Sequence, residues 1–156
     1  MKGVYKPKNT TKYKGDPTNI VYRSSWELKF MRWCDETSSV IEWSSETIVV
    51  PYRSKVDELI EKKKKLNYKI MHRYFVDFYV KLKTKDGTIK RWLVEVKPYS
   101  QTIEPVKPDK AKNSRSYTNA LLRWWINDAK WKAAREYAAD RNMEFRLITE
   151  KELYGK

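Results

Sequence analysis

The sequence predicts one α/β domain, and three observations carry that expectation. A chain of 156 residues is long enough for a single hydrophobic core. Apolar residues recur at helical spacing from Trp26 to Cys34 and again from Leu121 to Ala138, with strand-like runs between and after them. Two runs at the centre, residues 72–80 (HRYFVDFYV) and 91–98 (RWLVEVKP), have the β-branched and aromatic composition of strands buried on both faces. Seven Trp, eleven Tyr and 40% hydrophobic residues fit a folded chain rather than a disordered one.

Charge narrows the partners. With 34 Lys and Arg against 20 Asp and Glu, the net charge is +14, which points to nucleic acid or another anionic surface. No basic amphipathic helix stands apart to bind a membrane, and no window approaches the roughly 18 apolar residues of a span. Cys34 is the single cysteine, so disulfides within the chain and cysteine-based zinc sites are excluded. Its place on an amphipathic helix reads as an ordinary buried thiol. There is no Gly-rich phosphate loop, so no nucleotide cofactor is expected.

Taken in order, residues 1–19 read as an extended basic arm carrying Lys6, Lys8, Lys12 and Lys14. It is either a frayed terminus or a phosphate-tracking arm, with Tyr5 and Tyr13 available to dock it. Residues 20–156 are expected to form the one domain. Ser24 and Glu27 match the S-x-x-E capping box, opening a helix to about Ser38 whose Trp26, Phe30, Trp33 and Cys34 share a core face. The box by itself explains Glu27 as a cap. Residues 40–52 (VIEWSSETIVVPY) read as one or two strands broken near Ser44 and Ser45, with Glu46 an edge acid.

Residues 53–69 are the least core-like, a solvated basic insertion or a DNA-facing loop. Lys62, Lys63, Lys64 and Lys65 cannot all point inward, and as point charges they would add affinity without base readout. Residues 99–117 read as a long surface loop with Lys107, Lys110, Lys112 and Arg115 as backbone contacts. Thr118 or Asn119 caps a final long helix to about Arg141, with Lys130 off its apolar face. A strand at 145–149 and a turn at 151–153 close the chain.

The chemistry lies in the two central runs. Each holds a carboxylate, Asp77 in the first and Glu95 in the second. An ionised carboxylate in such a run is costly unless something compensates it, and a divalent cation would compensate two. Lys97, two residues after Glu95, projects from the same strand face. The connection Lys83-Thr84-Lys85-Asp86-Gly87-Thr88 signals a hairpin whose register decides the matter. A two-residue loop at Asp86-Gly87 sets Asp77 opposite Val96 and turns Glu95 to the other face. A three-residue loop of Lys85-Asp86-Gly87 sets Thr84 opposite Thr88 and Asp77 opposite Glu95, with Lys97 beside them. Metal-assisted phosphodiester cleavage requires the second arrangement.

Tyr22-x-Ser24-x-x-Glu27, then Phe75-Val76-Asp77, then Glu95-Val96-Lys97-Pro98 resembles the motif series of the PD-(D/E)XK nuclease superfamily. Val76 stands where that pattern usually has proline. The likeness runs from about residue 15 to 153 and is nearest to the head-completion nucleases of tailed phages. The endonuclease subunit of heteromeric transposases is similar in the same motifs.

The resemblance implies a restriction-endonuclease-like α/β core with a mixed central sheet flanked by helices. It implies an active site of Glu27, Asp77, Glu95 and Lys97, the three acids holding Mg²⁺, with Mn²⁺ able to substitute. It also makes Glu27 a ligand as well as a cap. Double-stranded DNA would be the substrate, met by Lys12, Lys14, Arg23, Lys62, Lys63, Lys64, Lys65, Lys107, Lys110, Lys112, Arg115 and Lys130. Capsid or portal components would be partners, the reaction would process DNA ends after packaging, and the location would be virion and host cytoplasm. The alternative is a non-catalytic DNA-binding or head-assembly protein that keeps the fold. The intact Asp77, Glu95 and Lys97 set favours catalysis, because a pure binder has no need of buried acids among basic residues.

Overall fold

The computed structural model describes residues 1–109 and 114–155. In chain order, β1 (Gly3–Val4) and β2 (Val21–Tyr22) precede α1 (Ser25–Glu36), followed by β3 (Val40–Ser45), β4 (Val49–Tyr52) and α2 (Lys55–Lys63). Then come β5 (His72–Phe75), β6 (Phe78–Lys83), β7 (Ile89–Val96), α3 (Arg115–Ala139), β8 (Glu144–Ile148) and α4 (Glu150–Tyr154). The central sheet has the order β3-β6-β7-β8, antiparallel except for the parallel pair β7–β8. A parallel pair needs a crossover, and α3 lies in it. This is the mixed, helix-flanked sheet of the restriction-endonuclease-like class.

Alternation along β7 builds a core on each face of the sheet. Val94 and Val96 join Phe78, Val80 and Trp43 against Phe30, Met31 and Cys34 of α1. Leu93 points the other way, with Tyr79, to Trp131, Ala134 and Ala138 of α3. Helix α1 begins as its sequence predicts, with Ser24 Oγ accepting the Glu27 N–H at 3.1 Å. Trp33 sits at the rim of its core, stacked on Trp92.

Four expectations are corrected. The run 72–80 is two strands, not one. The backbone of Glu46 turns left-handed (φ 57°), a conformation that cannot continue a strand, and its N–H donates to Asp77 O at 3.0 Å. Val76 N–H donates to Ile48 O at 3.0 Å on the far side of the bend. Both chains therefore fold over together, β4 pairing β5 as a ribbon outside the sheet, with Asp77 at the corner.

Second, the basic insertion contains α2. Its start is a capping box of Ser54 and Asp57, a signal legible as S-x-x-D, and Arg53 grips Glu61 at 2.7 and 2.9 Å to hold the helix down. The Arg53 hydrogen bond pulls the Glu61 carboxyl down to about 2. Third, α3 begins at Arg115 rather than near Asn119, because Ser114 Oγ accepts the Tyr117 N–H. Fourth, the terminal turn is α4, capped by a Thr149–Glu152 box.

Residues 1–19 lie against the rest of the chain. Gly3 and Val4 pair with Tyr22 and Val21, and Tyr5 and Tyr13 are buried beside Trp43. Among the described residues no helix is long and apolar enough to cross a membrane.

Candidate active site

The β6–β7 hairpin takes the register that the chemistry requires. Phe78 faces Val94 and Lys83 faces Ile89, which sets Thr84 opposite Thr88 and Asp77 opposite Glu95. Thr84 N–H donates to Thr88 O at 2.9 Å, and Gly87 closes the loop at φ 86°, a left-handed position that favours glycine. Asp77 and Glu95 thus meet on the α3 face at the corner of the sheet. Lys97 Nζ stands 3.7 Å from Glu95 Oε1, and the lysine side chain keeps 29% exposure while Glu95 is buried.

Each acid has one oxygen tied to the chain. Asp77 Oδ2 accepts the Val96 N–H at 2.9 Å, Glu95 Oε2 the Tyr74 hydroxyl at 2.6 Å, and Glu27 Oε2 the Arg23 N–H at 3.2 Å. Among the described residues the other oxygen of each makes no hydrogen bond. Glu27 is therefore a cap displaced by one residue, reaching Arg23 rather than Ser24, with its second oxygen open.

The electrostatics are strained. Burial, then the Glu95 charge, push the Asp77 carboxyl well above the usual carboxylate range, and the Val96 N–H, then Lys97, offset this only in part. The Glu27 charge adds to the push. Glu27 is raised too, by burial first, against the Arg23 contacts, with Glu46 and Glu95 adding repulsion. Two acids short of compensation, Asp77 and Glu27, and a third, Glu95, between them offer three unbonded hard oxygens, which suits a divalent cation that prefers carboxylates. Among the described residues no three acids, histidines or cysteines already stand close enough to form a complete ligand set. The Asp77–Glu95 pair is the nucleus, and Glu27 senses it through its charge.

A family model for TnsA-like endonuclease, N terminal, matches residues 37–150, a stretch that holds Asp77, Glu95 and Lys97. The chain belongs to the TnsA-like endonuclease family. It is also similar to the head completion nuclease of Enterobacteria phage T4, 38% identical over 150 residues that cover 95% of this chain and 90% of that protein. The family match begins beyond Glu27, whereas the phage relative's alignment is long enough to include it. Nuclease chemistry and a need for divalent metal are the family's general character.

The basic residues fall into separate places. Arg23 is at the site's edge, ion-paired with Glu46. Lys130 of α3 lies over the rings of Tyr74 and Tyr52 at 5.5 and 5.7 Å. Lys14 is exposed, its ammonium 6.0 Å from the Tyr79 ring centroid. Lys12 has its ammonium on the carbonyls of Asp35 and Thr37 at 3.0 and 2.7 Å, where it caps the end of α1.

Lys62 to Lys65 are exposed at the C-terminal end of α2, where cations also complement the helix dipole. Lys107 is exposed in the loop after β7, and Arg115 in the first turn of α3. Lys110 and Lys112 lie outside the described residues. Sequence reasoning missed Tyr74 as a partner of Glu95. In a straight strand it would face away from Asp77, and only the bend at Val76 and Asp77 brings both to one place.

Proposed function

We propose that the chain is a divalent-metal-dependent deoxyribonuclease that processes DNA ends during phage head completion. The observation that supports this most is the placement of Asp77 directly across from Glu95 with Lys97 beside them. Asp77 and Glu95 would hold Mg²⁺, or Mn²⁺ in its place, with Glu27 as the third carboxylate. When bound, the cation supplies Lewis-acid polarisation of the phosphate and activation of the attacking water.

The chain's own residues do the rest. Lys97, next to Glu95, orients the water or neutralises charge gathering on the phosphate oxygens. Arg23, next to Glu27, and Lys130, over the Tyr74 ring, grip flanking phosphates, and Lys14, Lys62 to Lys65, Lys107 and Arg115 extend the basic surface along the duplex. The likeness to the phage head completion nuclease, over nearly the whole of both chains, supports that biological setting and a contact with capsid or portal components.

The test is plasmid cleavage with Mg²⁺ or Mn²⁺ by wild type, Asp77→Ala and Lys97→Ala. Cleavage by wild type and its loss in both variants, with DNA binding retained, is the expected result. Equal activity in all three would place the chemistry elsewhere, and binding without cleavage by wild type would make the protein a non-catalytic binder.

A further inference from the structure

We infer that Tyr74 is a positioning residue that fixes the rotation of the Glu95 carboxylate and so presets its open oxygen for the divalent cation. The inference rests on the metal-dependent nuclease reading above. The terminal torsion of a glutamate is broad, so an unrestrained Glu95 could present either oxygen over a wide arc. The Tyr74 hydroxyl removes that freedom by donating to Oε2 at 2.6 Å. Oε1 is then the oxygen turned to Lys97, 3.7 Å away.

The phenol is itself held rigidly. The residue is 4% exposed and packs in the α3-side core with Val50 and Trp131, and Lys130 lies over its ring. A phenol, with an ordinary pKa of about 10, keeps its proton at neutral pH, and here that proton is donated to Glu95. Because its one proton is committed to Glu95, Tyr74 acts through that carboxylate and not on the substrate. A partner of this kind behind a metal ligand is worth 10- to 100-fold in metal affinity.

The experiment is calorimetric titration of Mn²⁺ into wild type, Tyr74→Phe and Tyr79→Phe, without DNA. Tyr79→Phe is the control, since it removes a phenol–carboxylate bond of the same kind, to Glu42 at 3.0 Å, away from the acids. Tyr74→Phe keeps the buried ring and should melt cooperatively. Its Mn²⁺ dissociation constant should rise roughly 10- to 100-fold, while Tyr79→Phe stays within about twofold of wild type.

Combining Tyr74→Phe with Glu95→Gln should cost no more affinity than Glu95→Gln alone, a non-additivity that general loosening of the core would not produce. In cleavage assays the metal requirement of Tyr74→Phe should shift upward, with the rate at saturating metal recovered. A Tyr74→Phe dissociation constant within twofold of wild type would overturn the inference. Failure of wild type to bind Mn²⁺ at all would instead overturn the metal-dependent reading, and this inference with it.

Discussion

Asp35 and Asp77 are aspartates drawn into the same domain, one at the end of α1 and one at the corner of the sheet. Asp35 is fully buried and accepts hydrogen bonds from the Tyr5 hydroxyl at 2.7 Å, Lys8 N–H at 2.7 Å and Asn9 N–H at 3.0 Å. Burial alone would raise its pKa, but these donors, with Lys12 nearby, hold it below the usual range. Asp57 of α2 is treated the same way, burial being outweighed by the Ser54 N–H at 2.8 Å and His72 at 2.6 Å. Asp77 receives one backbone donor and faces two other acids. The difference in donor supply separates a staple from a candidate site. Where an acid holds structure together the chain saturates it, and at the corner of the sheet the chain leaves Asp77 wanting.

The largest effect expected from that contrast is at Asp35. Asp35→Ala strands the Tyr5 hydroxyl and two backbone N–H groups and should cost about 3–5 kcal/mol. In a domain of this size that lowers the melting temperature by roughly 10 °C. It should also make residues 1–19 more open to protease, since the Asp35 carboxylate accepts the Lys8 and Asn9 N–H groups. An unchanged melt with a protected arm would mean that the pairing of Gly3–Val4 with Val21–Tyr22, and not Asp35, holds the arm.

Metal comes next. If the acids at the corner are short of positive charge, Mn²⁺ at a hundred times its dissociation constant should stabilise the protein by about 2.7 kcal/mol. The gain should persist in Asp35→Ala and vanish in Asp77→Asn, as read by thermal melts with and without chelator. Equal gains in all three proteins would place the cation away from Asp77.

Much of this contrast could be read before the structure. The hairpin register was narrowed to two answers, because a period of two leaves only two choices for which residues share a face. The need to bring Asp77 and Glu95 together, not the loop residues, favoured the one observed. Ser24 as N-cap followed from its spacing to Glu27. What escaped was whatever depends on a bend. Glu46 has no sequence mark that announces a left-handed backbone, so the break between β5 and β6, and the arrival of Tyr74 behind Glu95, lay beyond pattern reasoning. Asp35 escaped for a different reason, since its partners are backbone N–H groups about 26 residues away in an arm that shows no periodicity. The basic run at Lys62–Lys65 hid α2, although the Ser54–Asp57 box and the spacing of Val56, Leu59 and Ile60 were there to be read.

The smallest effect has the opposite sign to the first. Asp77→Asn keeps an oxygen for the Val96 N–H and offers Glu95 a donor in place of a second negative charge. In chelator at pH 7 it should stabilise the metal-free protein by about 1 kcal/mol, a rise of roughly 2–4 °C, while abolishing cleavage. The pH dependence follows from the same shift. A carboxyl whose folded pKa is raised binds its proton more tightly in the folded state, so stability falls as pH rises from the ordinary carboxylate range through the raised value. Asp35, with a lowered pKa, behaves in reverse, its contribution present above the ordinary value and lost as pH falls through the lowered one. Melting curves across pH should therefore show wild type losing stability on the alkaline side of that range and Asp77→Asn staying flatter. If the two curves run parallel there, Asp77 is already compensated in the folded protein, and its likeness to Asp35 would be closer than the geometry implies.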